Sequence, residues 1–225
     1  MILIIENDPD VPPGILTRLI QDEARICHVC RPYAGEHWGD LSSICAIVVL
    51  GGAMSSCDTD RFPFLIEVKR LMERAIRADL PLLGICLGGQ LLADVAGGKV
   101  LHKRCGEHGM HEVSLTREGR RDTLFSNLPE RFAVFQWHDD SFLLPENAVL
   151  LAGSVQCPHQ AFRLGTQIYG VQFHPEVDDP IVANWSADNP SATEYREDFA
   201  RHGLSGPDVP SAMLLRNFIR MVPRF

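Results

Sequence analysis

The chain has 225 residues, of which 45% are apolar and 22% charged, and its net charge is -8 at pH 7. That length suits one large domain, or one with a small appendage, and buries roughly 70% of the surface its unfolded chain exposes, enough for a core without disulfides. The acidic balance argues against a general nucleic-acid or anionic-membrane surface, and an odd, irregularly spaced set of seven cysteines fits reduced thiols better than a disulfide framework.

Ile2 to Ile5 reads as a buried strand that runs straight into Glu6 and Asn7. It lacks the basic flank of a secretory signal, and no apolar stretch reaches transmembrane length, so a cytoplasmic protein without a membrane partner is expected. Asp8 to Pro13 is a turn. Ile15, Leu16, Leu19 and Ile20 then recur at helical spacing, ending near Ala24. Ile26 to Cys30 and Ile44 to Leu50 read as strands, the second stopped by Gly51-Gly52. Phe64 to Ala78 is an amphipathic helix with Leu65, Val68, Leu71, Met72, Ala75 and Ile76 on one face. Pro81 to Ile85 is a strand and Leu87 to Ala96 a helix. The second half changes character: Val113 to Leu115, Phe132 to Phe135, Val149 to Ala152, Ala161 to Arg163 and Ile168 to Phe173 are short strands set close together. A helix around Ala212 to Met221 ends a segment richer in Pro, Ser and Asp.

Strands alternating with helices predict parallel βαβ units. The expected fold is therefore α/β: a mostly parallel central sheet, helices on both faces and a small antiparallel section. Residues 1–189 form the expected domain, and 190–225 a C-terminal helical tail packed on it.

The segment Leu82-Leu83-Gly84-Ile85-Cys86-Leu87-Gly88-Gly89-Gln90 carries the chemistry. A buried strand enters Gly-x-Cys-x-Gly and a helix follows at once, which is a nucleophile elbow with Cys in place of Ser. The sharp turn lifts the thiol above the sheet, and the helix N-terminus favours a thiolate. The Leu87 amide can face a developing oxyanion. A cysteine that merely ends a buried strand needs no glycines on both sides, so the catalytic reading is preferred. A thiol nucleophile needs a base and a group to orient it. Gln172-Phe173-His174-Pro175-Glu176 supplies both at a strand end, with His174 as base and Glu176 as its orienter. Gly51-Gly52-Ala53-Met54-Ser55 follows another strand, and Gly52 is the expected second oxyanion donor.

These three motifs together resemble the class I glutamine amidotransferase family, over about residues 1 to 180. Trp137-His138-Asp139-Asp140-Ser141 is similar to the Trp-His-Gly-Asp-Thr segment of its stand-alone, GMP-synthase-like branch; Asp139 stands where that segment has Gly, and Ala53 where many members have Pro. The resemblance implies a flavodoxin-like fold, a γ-glutamyl thioester on Cys86 and release of ammonia, with no metal or cofactor required. It also places Gln90, Trp137, His138 and Asp139 at the substrate.

Two further patterns weigh less. Cys27-His28-Val29-Cys30 is a C-x-x-C, but on a strand its cysteines face opposite sides. His102, Cys105, His108 and His111 recur at ligand-like spacing, yet the stretch contains Gly106 and Gly109 and resembles the family loop beside the glutamine site, so a wall or exposed loop is preferred to a metal centre. The small substrate is glutamine or a γ-glutamyl compound. Three functions stay open: a glutaminase serving a separate ammonia-accepting synthase; a self-contained γ-glutamyl peptidase, as in the plant enzymes of the same branch; or a regulatory protein that kept the fold and lost the chemistry. The intact motifs argue against the third.

Overall fold

The computed structural model describes residues 1–187, 189, 191–202 and 209–223. The elements in chain order are β1 (Ile2–Ile5), α1 (Ile15–Asp22), β2 (Cys27–Cys30), β3 (Ala46–Val49), α2 (Phe64–Arg77), β4 (Leu82–Ile85), α3 (Leu87–Val95), β5 (Lys99–Leu101), β6 (Glu107–Leu115), β7 (Arg131–His138), β8 (Ser141–Leu143), β9 (Val149–Gly153), β10 (Ala161–Leu164), β11 (Ile168–Val171), α4 (Asp179–Ser186), α5 (Ala192–Arg201) and α6 (Pro210–Met221). Nine strands form one sheet in the order β2-β1-β3-β4-β11-β10-β9-β6-β7, and β5 pairs with β8 apart from it. β2, β1, β3, β4 and β11 run parallel. β10, β9, β6 and β7 extend the sheet antiparallel.

Side-chain alternation builds the two apolar layers. Along β1, Ile2 and Ile4 face a cluster with Leu16, Leu19 and Ile20 of α1 and Leu214, Leu215 and Phe218 of α6. Leu3 and Ile5 face the other cluster, with Leu65, Val68 and Leu71 of α2 and Leu91 of α3. Both faces of the parallel strands are thus covered, which is why β1, β3, β4 and β11 are unbroken buried runs. Cys27 packs on the first layer and Cys30 belongs to the second, so this pair is split across the sheet. All seven cysteines are free thiols. Among the described residues no helix is long and apolar enough to cross a membrane.

Three differences from the sequence reading have physical causes. The strand read from Val113 begins at Glu107, because main-chain pairing with β7 carries it through Gly109 at φ +85° and a polar run without apolar alternation. β5 and β8 are three residues each and too short for a period to register. Two helices, α4 ahead of residue 190 and α5 after it, precede the last helix. α4 is announced by Asp178, whose side chain accepts from the Ile181 amide, with a proline in the first turn. α5 is polar on most sides and buries Phe199.

Candidate active site

The sheet order sets β3, β4 and β11 side by side. The loops that leave their C-terminal ends carry Gly51-Gly52, Cys86 and His174, so adjacency of strands gathers three motifs that are far apart in sequence. Cys86 occupies the turn from β4 into α3 with φ 51° and ψ -109°, a conformation an L-residue rarely adopts. The neighbouring glycines make that turn possible. A Cβ on Gly88 would stand 2.1 Å from the Val49 carbonyl oxygen of β3, and one on Gly89 would stand 2.6 Å from that of Val171 in β11. The elbow is wedged between two strands, and no side chain fits there.

His174 is buried, and its Nδ1 donates to Glu176 Oε1 at 2.7 Å. Its backbone amide donates to the Phe135 carbonyl at 2.9 Å, which ties the loop after β11 to β7. The Trp185 ring of α4 closes over the imidazole edge-on, with ring centroids 4.7 Å apart. Burial alone would push the imidazole down; the Glu176 carboxylate and the Cys86 sulfur outweigh it and raise His174 to about 10. The surroundings therefore favour an imidazolium beside the thiol. Glu176 is fully buried, and its carbonyl accepts from the Ile15 amide at the start of α1. Gly14, at φ +47°, permits that approach, since a Cβ there would lie 2.0 Å from the same oxygen. The sequence reading passed over Gly14, and its place before a helical run was the available signal.

A cavity of about 630 Å³ opens over Cys86. Gly52, Gln90, Trp137, His138 and Asp139 also line it, while Leu87 is buried behind the elbow. Gln90 Nε2 donates to the Asp140 carbonyl at 3.2 Å and to Gln172 Oε1 at 3.4 Å. Gln172 in turn donates to Cys86 Sγ at 3.7 Å. The Trp137 carbonyl lies 4.0 Å from Cys86 Sγ, and its ring stacks on Phe135 and meets Tyr195 of α5 edge-on. Asp139 is largely exposed and sits 3.5 Å from His108; it lies outside the positive-φ set, so replacing glycine there strains nothing. His138 turns its Nδ1 back to donate to the Asp140 carbonyl at 2.9 Å. On the opposite wall the Ala53 amide donates to Asp8 Oδ2 at 3.0 Å, a bond that proline could not make.

Asp140 and Trp185 had no assigned part in the sequence reading. Asp140 accepts from Ser55 Oγ at 3.0 Å and the Lys103 amide at 2.9 Å, and its Oδ1 is 2.9 Å from His102 Nδ1. One carboxylate thus joins three walls of the cavity. Burial would raise its pKa, but these partners hold it below the usual carboxylate range. Trp185 comes from α4 and Tyr195 from α5, helices of weak apolar periodicity. The one hint of Tyr195 was Gly109 within a strand, where a Cβ would stand 2.7 Å from the tyrosine ring.

His102, Cys105, His108 and His111 do not converge. His102 faces Asp140, His108 faces Asp139, and His111 Nε2 donates to the His108 carbonyl. Among the described residues the convergent set of ligand-type atoms is Glu107, His138 and Cys157.

A thiol on a strand–helix elbow, beside a carboxylate-paired imidazole at the open edge of a parallel sheet, is the arrangement of the cysteine-nucleophile class. The chain belongs to the class I glutamine amidotransferase family: the family model, Glutamine amidotransferase class-I, matches residues 27–179. It is similar to the GMP synthase [glutamine-hydrolyzing] of Porphyromonas gingivalis, at 36% identity over 177 residues, covering 78% of this chain and 33% of that protein. One subunit of the GMP synthase [glutamine-hydrolyzing] of Methanocaldococcus jannaschii is 39% identical over 117 residues, which are 51% of this chain and 61% of that one. The chain therefore spans about a third to six tenths of these curated relatives. Among solved structures, a glutamine amidotransferase from Thermotoga maritima superposes with a TM-score of 0.85 at 28% identity, covering 99% of this chain and 98% of that chain.

Proposed function

We propose that this chain hydrolyses the side-chain amide of glutamine through a γ-glutamyl thioester on Cys86 and releases ammonia. The observation that carries the reading is the buried His174, paired to Glu176 at 2.7 Å and raised to about 10 beside the Cys86 thiol. An imidazolium there is the counter-charge a thiolate nucleophile needs. The thiolate attacks the amide carbon, and the oxyanion is met by the Gly52 and Leu87 amides, the latter in the first turn of α3. His174 gives its proton to the leaving nitrogen, and the C–N bond breaks to free ammonia. The neutral imidazole then takes a proton from water, whose oxygen attacks the thioester; glutamate leaves and the thiolate–imidazolium pair is restored. Glu176 holds the ring and its charge throughout. Gln90, Trp137, His138 and Asp139 are assigned to the substrate's walls, directly or through Asp140.

The cavity supports a second substrate class. At about 630 Å³ it is larger than a free amino acid fills, with Asp10 and Asp58 among its lining. A γ-glutamyl amide or peptide could extend its leaving amine there. Seven unpaired thiols support a reducing, cytoplasmic setting. A separate synthase as ammonia acceptor is a further reading, drawn from the relatives that are single subunits of GMP synthases. The apolar face that α6 shares with β1 and α1 supports treating 190–225 as a tail of the 1–189 domain.

The test is a substrate panel on the purified protein: glutamine, γ-glutamyl anilides and γ-glutamyl dipeptides, each with the Cys86→Ala variant beside it. Glutaminase as the main activity predicts the highest kcat/KM on glutamine, abolished by the variant. A higher value on dipeptides assigns the protein to the peptidase class instead. Activity unaffected by the variant on every substrate refutes the mechanism.

A further inference from the structure

Behind the pocket wall, Glu107 of β6, His138 of β7 and Cys157 of the β9–β10 loop bring a carboxylate oxygen, an imidazole nitrogen and a thiol within 4.8 Å of one another. All three are at least nine-tenths buried, at 2%, 5% and 1% exposure. The orientation of His138 is the unusual feature. Its Nδ1 must carry the proton that it donates to the Asp140 carbonyl. In the neutral ring this leaves Nε2 with its lone pair, and Nε2 points at Glu107 Oε2 from 3.4 Å without making a hydrogen bond. A lone pair aimed at a carboxylate in a buried place is repulsive unless a proton or a metal cation lies between them.

From this geometry we infer that Glu107, His138 and Cys157 form a divalent-metal site, suited to zinc, that braces the wall of the pocket. Mixed sulfur, nitrogen and oxygen donors select zinc over the hard cations. Bonds of about 2.0–2.3 Å at tetrahedral angles set ligand atoms roughly 3.3–3.8 Å apart, so closure needs side-chain shifts of under about 1 Å. The outer partners are those of a metal centre. The Asp140 carbonyl fixes the His138 tautomer, Ser154 Oγ donates to Glu107 Oε1, and Gln160 Nε2 donates to Oε2. Cys105 adjoins the Cys157 thiol, and His111 Nδ1 stands 3.6 Å from Glu107 Oε1. The site has no part in bond breaking. It would fix the ends of β6 and β7, from which Trp137 and Asp140 reach the Cys86 pocket.

The test reads metal binding rather than turnover, so its outcome is separate from that of the proposed hydrolysis. Full-length protein with Cys86→Ala, which removes the other buried thiol–imidazole pair, is stripped with a chelator and titrated with zinc against a chromogenic competitor, then with cobalt(II). The expected result is one zinc per chain and a cobalt spectrum with a thiolate charge-transfer band. His138→Ala and Cys157→Ser should each weaken binding at least about 100-fold, and Cys57→Ser should not. In the background protein, zinc should also slow alkylation of Cys157, read by peptide mass spectrometry, which keeps the test valid if a variant fails to fold. Substoichiometric zinc, equal binding by both variants, or Cys157 alkylation unchanged by zinc would overturn the inference and leave a His138–Glu107 ion pair.

Discussion

Glu176→Gln removes one buried charge and leaves an oxygen that can still accept from His174 Nδ1, so it isolates electrostatics from geometry. The carboxylate lies 2.7 Å from Nδ1 with no exposure. At an effective dielectric constant of about 20, a unit charge pair at that distance is worth about 6 kcal/mol, opposed by the burial of the imidazolium. The net rise of His174 from 6.5 to about 10 corresponds to about 5 kcal/mol in favour of the charged ring. Without the carboxylate, only the Cys86 sulfur opposes burial, and the imidazolium loses its main support. The Cys86 thiolate then loses its counter-charge. The assay is the pH profile of Cys86 alkylation by a neutral reagent. The variant should be alkylated more slowly than the wild-type protein at neutral pH. The rate of glutamine hydrolysis should fall about 10²- to 10⁴-fold. A folded variant with an unchanged alkylation profile would refute the claim that Glu176 sets the charge state of the pair.

Other consequences can be measured independently. Gly88→Ala forces a Cβ to 2.1 Å from the Val49 carbonyl, so urea denaturation should show a loss of about 3 kcal/mol or failure to fold. Asp140→Ala cuts the links to Ser55, Lys103 and His102; steady-state kinetics should show KM up by about tenfold with kcat changed by less than about threefold. The Cys157 thiol is pushed from 9.0 up to about 12 by burial, with Glu107 close by. The unfolded chain ionises this thiol above pH 9 while the folded one does not, so its contribution is intact below 9 and declines as pH rises toward 12, by at most about 1.4 kcal/mol per unit. Chelator-treated Cys157→Ala should lose stability less steeply between pH 9 and 11, read from urea midpoints.

The parallel half of the fold was legible because β1, β3, β4 and β11 are buried on both faces and α1 and α2 carry a clean 3.6-residue period. The antiparallel half was less so. β6 begins with Glu107, His108 and Gly109, residues that serve a buried network and a tyrosine contact rather than a core, and no periodicity marks them. For the candidate site the legible part was local: Gly84 to Gly88 around Cys86, and His174 with Glu176, are contiguous motifs. What the sequence could not announce was the part assembled across elements. Asp140 acts by joining Ser55, Lys103 and His102. Trp185 reaches His174 from a helix of weak amphipathicity, and Glu107, His138 and Cys157 meet only through the pairing of β6 with β7 and the turn after β9. The cysteine–histidine spacing around Cys105 drew attention to a neighbouring stretch whose side chains point to separate partners.

The central claim is a covalent glutamyl group on Cys86. Protein mixed with glutamine is quenched in acid during steady-state turnover, and the intact mass and the Cys86 peptide are measured. The expected result is an adduct equal to one glutamyl residue, confined to the Cys86 peptide, removed by hydroxylamine and absent from Cys86→Ala, which forms no glutamate. Glutamate formation that persists in folded Cys86→Ala would contradict it.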